Sequence, residues 1–139
     1  DLSNQVFNTY KETPELLVAG KGTGTVSYHS ALLKSNCKVT SQPDWGDIYI
    51  TMTGEGLPTP QSILEYIISF RDECHFHEEI CETIYYRLWT NFNLDELCVT
   101  CLYARRGGID INPTRANDTH LLPARLINPL ELHTKTTKQ

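Results

Sequence analysis

With 139 residues, 40% of them apolar, the chain has material for one hydrophobic core and little for a second. Twelve lysines and arginines against 17 aspartates and glutamates leave a formal charge of −5, which excludes a chain-wide basic surface for nucleic acid. No run approaches the roughly 20 apolar residues of a membrane helix, so neither nucleic acid nor membrane is an expected partner. Residues 1–24 show no sustained period and close on Gly20-Lys21-Gly22-Thr23-Gly24, which predicts a lead-in segment ending in a linker. A β-capable stretch, residues 25–34, precedes a turn-rich run, residues 35–46, that holds Asn36, Pro43 and Asp44. Residues 47–53 alternate Ile48, Ile50 and Met52 with Tyr49, Thr51 and Thr53, the period of a strand with one buried face. Thr59-Pro60 has the chemistry of an N-cap followed by proline at the first helical position, and predicts a helix over 60–71. A second helix is predicted over 76–90, where Phe76, Ile80, Ile84 and Leu88 fall four apart and form one core-facing stripe. Two further strands are expected at 94–104 and 109–112, around a tight Arg105-Arg106-Gly107-Gly108 turn. Beyond Pro113 the chain turns polar and proline-punctuated, and from His133 it reads as a frayed tail.

The order β-β-α-α-β-β predicts an α+β fold: an antiparallel four-stranded sheet with both helices on one face. The expected organisation is a lead-in at 1–24, one catalytic module at 25–116 and a C-terminal tail at 117–139. Such a sheet has two open edges, and open edges invite association, so an oligomer is expected. Five cysteines at irregular spacing argue against a full disulfide framework and for a reducing, cytoplasmic setting. The N-terminus lacks the basic-then-apolar pattern of a leader. The first residue is Asp1, which suggests a trimmed piece of something longer.

Several side chains have chemical potential. Cys37 lies where a strand ends, between Lys34 and Lys38, and cationic neighbours favour the nucleophilic thiolate; an inert thiol is the plainer reading. Asp44 stands beside Trp45, and partial desolvation by an indole favours a proton-donating carboxyl, although an aspartate that stabilises a turn is equally ordinary. His77 and Glu78 open the second helix off its core stripe, where a carboxylate can accept two N–H groups of a purine-like base. Acidic residues in a first helical turn also have a purely dipolar explanation. Arg106 and Gly107 join fixed charge to a backbone that a ligand can approach closely, as a phosphate contact requires, or form a solvated turn. Cys98 and Cys101 have C-x-x-C spacing, but three residues along a strand places them on opposite faces, so no metal site is expected there. The H-x-H pair His75 and His77 lacks a third ligand at a usual spacing. The glycine run at 20–24 does not match a phosphate-binding P-loop.

Taken in order, LLKSNCKVTSQPDWG (residues 32–46), SFRDECHFHEE (69–79) and RRGGIDINPTR (105–115) resemble the NADPH-dependent 7-cyano-7-deazaguanine reductases, the nitrile reductases of queuosine tRNA modification. The wording is most similar to the C-terminal half of their two-module form, and it implies the tunnelling fold. The resemblance implies that Cys37 is the nucleophile forming a covalent thioimide and that Asp44 is the acid. It also implies that His77 and Glu78 hold the deazapurine and that Arg106 and Gly107 contact NADPH. The family's nicotinamide-binding Glu-[Ser/Leu]-Lys run does not occur; its slot reads Ser62-Ile63-Leu64-Glu65-Tyr66-Ile67-Ile68. In the two-module form that run lies in the other half, so pairing with a second tunnelling-fold module or another copy is expected. Two rival readings are the related amidinotransferase of archaeosine synthesis, which uses a similar cysteine and base pocket without nicotinamide, and a non-catalytic base-binding module.

Overall fold

The computed structural model describes residues 4–122. Two long antiparallel strands, β1 (Ala19–Asn36) and β2 (Pro43–Pro58), are followed by helices α1 (Pro60–Ile68) and α2 (His77–Asn91), then by β3 (Leu94–Tyr103) and a short β4 (Thr114–Ala116). The sheet runs in the order β1-β2-β3-β4 with every neighbouring pair antiparallel. Thr59 caps α1 as its chemistry predicts, its hydroxyl accepting the Ser62 N–H at 3.2 Å, with Pro60 in the first turn. At the start of α2 the Glu79 carboxylate accepts the backbone N–H of Phe76, so an acidic side chain satisfies a donor that the helix leaves free.

The pleat sorts residues by face. Ile48, Ile50 and Met52 of β2 join Leu97, Val99, Cys101 and Tyr103 of β3 beneath Ile63, Tyr66, Ile67 and Phe70 from α1 and its following turn, and Ile80, Cys81, Ile84 and Leu88 of α2. Both helices therefore cover one face. The opposite face carries hydroxyl pairs across the strands: Thr25 with Thr53 (2.9 Å), Ser27 with Thr51 (3.4 Å) and Thr100 with Thr114 (3.1 Å). His29 stacks on Tyr49 in the same layer. Before β1, the chain straps the helix layer: Tyr10 C=O accepts the Asp72 N–H, and the Glu12 carboxylate pairs with Arg87 Nε at 3.0 Å.

Two expectations are corrected. The glycine run at 20–24 is no linker but the first part of β1, because its backbone pairs in a ladder with residues 54–58, with register shifts near Gly22. The fourth strand is not at 109–112: those residues belong to a loop, and the pairing with β3 is made by Thr114–Ala116. The period in Ile109-Asp110-Ile111 has another cause, since Asp110 binds Arg105 through both carboxylate oxygens (2.7 and 2.6 Å) while Ile111 faces a cleft. The frayed tail expected from His133 lies outside the described residues.

Candidate active site

The end of β1, the start of β2, the end of β3 and the first turn of α2 converge at one end of the helix layer. Asp44 shares the pleat parity of the core-facing Ile48 and Ile50, so its side chain turns inward beneath α2 and is only 4% exposed. There His77 Nε2 lies 3.1 Å from Asp44 Oδ2, while Arg106 donates to the other carboxylate oxygen. The His77 ring is stacked flat on Tyr103, with centroids 3.9 Å apart and planes at 5°, which fixes its orientation. His77 Nδ1 is buried and has no hydrogen-bond partner among the described residues. Cys37, Asp44, His77, Glu78 and Arg106 then line one cleft of about 290 Å³, together with Thr40, His75, Phe76 and Ile111. Phe76 and Ile111 supply apolar surface, and Glu78 stands exposed at the rim.

The thiol sits on a tight turn. Cys37 N–H donates to Gln42 C=O (2.8 Å) and Ser41 N–H to Cys37 C=O (2.9 Å), with Ser41 in the left-handed region at φ 59°. The Thr40 hydroxyl, then the backbone N–H groups of Thr40 and Val39, hold the Cys37 thiol below its ordinary pKa, against desolvation and the nearby Asp44 charge, which push it up. The lysines expected to do this are engaged elsewhere: Lys34 Nζ donates to Arg71 C=O (3.1 Å), and Lys38 pairs with Glu79 (3.3 Å), which also holds His75. Trp45 does not share the face of Asp44 either. Adjacent strand residues point to opposite faces, and Trp45, 38% exposed, lies instead under the Arg71 guanidinium at 5.6 Å.

Arg106 is turned into the cleft, where it also donates to Gln42 Oε1 (2.6 Å) and Thr40 Oγ1 (3.3 Å). Gly107 and Gly108 follow in left-handed conformations (φ 58° and 78°), with open space where a Cβ would stand. The glycines leave the backbone approachable. The two arginines of the loop pair with the chain's own carboxylates, Arg105 with Asp110 and Arg106 with Asp44. Cys101 lies in the core beside Cys81, whereas Cys98 faces the other side of β3. The sequence singles out Cys37, Asp44, His77, Glu78 and Arg106, and the fold brings them together. It does not single out Thr40 and Gln42, whose only signal is their place in the short polar loop between thiol and carboxylate. Tyr103, a residue of β3, carries no local signal for a histidine-stacking role.

The family profile described as QueF-like protein matches residues 43–121, a span that takes in Asp44, His77, Glu78 and Arg106 and begins after Cys37. An NADPH-dependent 7-cyano-7-deazaguanine reductase of Acinetobacter baylyi is 47% identical over 107 residues, 77% of this chain. The chain belongs to the QueF-like family. A relative of the same name from Paracidovorax citrulli is 44% identical over 119 residues, 84% of the chain. The chain spans 38% and 42% of the lengths of these two curated relatives. The QueF-like fold is matched in the crystal structure of the apo archaeosine synthase QueF-Like, with a TM-score of 0.63, 15% identity, and coverage of 69% of this chain and 95% of that one. Among the described residues, no helix is long and apolar enough to cross a membrane.

Proposed function

We propose that this chain carries the thiol, proton-handling and base-recognition part of an NADPH-dependent 7-cyano-7-deazaguanine reductase, acting in queuosine biosynthesis. The observation that carries the reading is the single cleft holding Cys37, Asp44, His77 and Glu78, on a chain 44–47% identical to proteins of that name. Glu78 at the rim accepts N–H groups of the deazapurine, and Phe76 and Ile111 flank the planar ring. The nitrile points inward to the thiolate. Cys37 Sγ bonds to the nitrile carbon, one π bond of C≡N opens, and the electron pair left on nitrogen takes a proton from the Asp44–His77 pair, giving a thioimide. NADPH, when bound, would supply the hydride chemistry. Arg106 and Gly107 would meet it from this chain, and the nicotinamide-binding run, whose slot reads Ser62-Ile63-Leu64-Glu65-Tyr66-Ile67-Ile68, would come from another part of a longer chain or from a second copy. Among the described residues β1 and β4 are the edge strands of the sheet, and such edges support pairing.

The test is the intact mass after incubation with 7-cyano-7-deazaguanine and no NADPH. The expected result is a gain equal to the nitrile's mass, absent in Cys37→Ala. A chain that binds the deazapurine reversibly and gains no mass is a base-binding module, and the reductase reading is then abandoned.

A further inference from the structure

The resemblance gives Arg106 to the cofactor, and within the described residues its guanidinium also ties together the loop beside the thiol. One nitrogen donates to Asp44, and the other to Gln42 Oε1 and Thr40 Oγ1. Thr40 Oγ1 also accepts the Gln42 backbone N–H at 3.3 Å. A hydroxyl has two lone pairs and one proton. With Arg106 and Gln42 N–H on its lone pairs, the Thr40 hydroxyl has its proton left to give, and it stands on the turn that Cys37 N–H closes by donating to Gln42 C=O at 2.8 Å. The same guanidinium also holds Asp44, which His77 meets from the other side. A planar fork is suited to this work, because it reaches two partners at fixed angles where an ammonium is a point charge.

We propose that Arg106 is a positioning residue for the Cys37 nucleophile: it clamps the turn at 40–42 to Asp44 and orients the Thr40 hydroxyl so that its proton points at sulfur. The clamp serves the thiol of the function proposed above, yet its consequence is visible without any deazapurine. Thiolate is the form that reacts with iodoacetamide, displacing iodide, so the pH profile of that reaction reads the clamp.

The experiment measures carboxamidomethylation of the half-buried Cys37 by peptide mass spectrometry from pH 5.5 to 9.5, in a Cys74→Ser background that removes the exposed thiol. In Arg106→Ala the profile is expected to move up by about one pH unit, which is about a tenfold slower reaction at pH 6.5. Gln42→Ala, which removes one exposed arm and leaves Asp44 its partners, is expected to shift it by a smaller amount in the same direction. This second variant covers the case in which Arg106→Ala fails to fold. Arg106→Lys keeps the charge without the fork and is expected to stay close to Arg106→Ala. Profiles unchanged in both Arg106→Ala and Gln42→Ala overturn the proposal, and so does full recovery in Arg106→Lys, which would assign the effect to charge alone. A failed clamp with the nitrile adduct intact leaves the reductase reading standing; a shifted profile without an adduct leaves the clamp standing.

Discussion

At the rim of the cleft, Glu78 is exposed, while Asp44, His77 and Tyr103 beneath it are buried in mutual contact. That separation divides recognition from chemistry. Glu78→Gln keeps the shape and exchanges a two-acceptor carboxylate for an amide with one acceptor, so a base that donates twice loses one charge-assisted hydrogen bond. Deazapurine binding, measured by calorimetry in Cys37→Ala so that no adduct forms, is expected to weaken about tenfold or more. The iodoacetamide profile of Cys37 in the Glu78→Gln protein should stay in place. Equal affinity for both proteins would remove Glu78 from base recognition. Cys37, Asp44, His77, Glu78 and Arg106 were legible because each belongs to a contiguous motif. Thr40 and Tyr103 were not. Thr40 meets Arg106 across 66 positions, and Tyr103 stacks with a histidine 26 positions away, and neither contact leaves a trace in local composition.

The helices were legible as elements because period and cap chemistry agree. The four-residue stripe of α2 is buried at Ile80, Ile84 and Leu88, although Phe76, its first member, is the N-cap and stands 44% exposed over the cleft. The long strands were legible only in part. Glycines at 20–24 signal turns locally, and only the ladder with β2 makes them strand; the partner that decides lies thirty or more residues on. Gly54 shows what such long-range pairing demands. A Cβ there would lie 2.6 Å from Asn93 C=O and 3.1 Å from Leu94 Cα, both backbone, at the register shift where β2 meets the start of β3. Gly54→Ala must displace one strand from the other, and overpacking of this kind costs about 1–3 kcal/mol. Urea unfolding is expected to show that loss with an unchanged slope. A variant as stable as the parent would mean that the β2–β3 junction yields freely.

Across the molecule, one helix layer on one sheet face gathers ionisable groups into the core, an outcome that the order of elements predicted in outline and the individual burials decide. Burial pushes Tyr103 well above its ordinary pKa, and the Cys101 thiol is pushed up by its hydrogen bond with Cys81 and then by burial. Tyr66 is raised by burial, and Tyr28 is pushed up to about 12. Each is an acid that holds its proton more tightly folded than unfolded. The stability it contributes is complete below its unfolded pKa, about 8.5 for a thiol and 10 for a phenol, and is lost as pH rises toward the folded value. A fully buried phenol such as Tyr103 withdraws about 1.4 kcal/mol per pH unit across that window. The unfolding free energy is therefore expected to be flat from pH 7 to 8.5 with respect to these groups and to fall ever more steeply to pH 11. Tyr103→Phe removes one of them together with a buried hydroxyl that has no hydrogen-bond partner, so its stability should decline less steeply above pH 10. Parallel declines in the two proteins would show that Tyr103 does not keep its proton through folding, and that the floor beneath His77 is wetter than its packing implies.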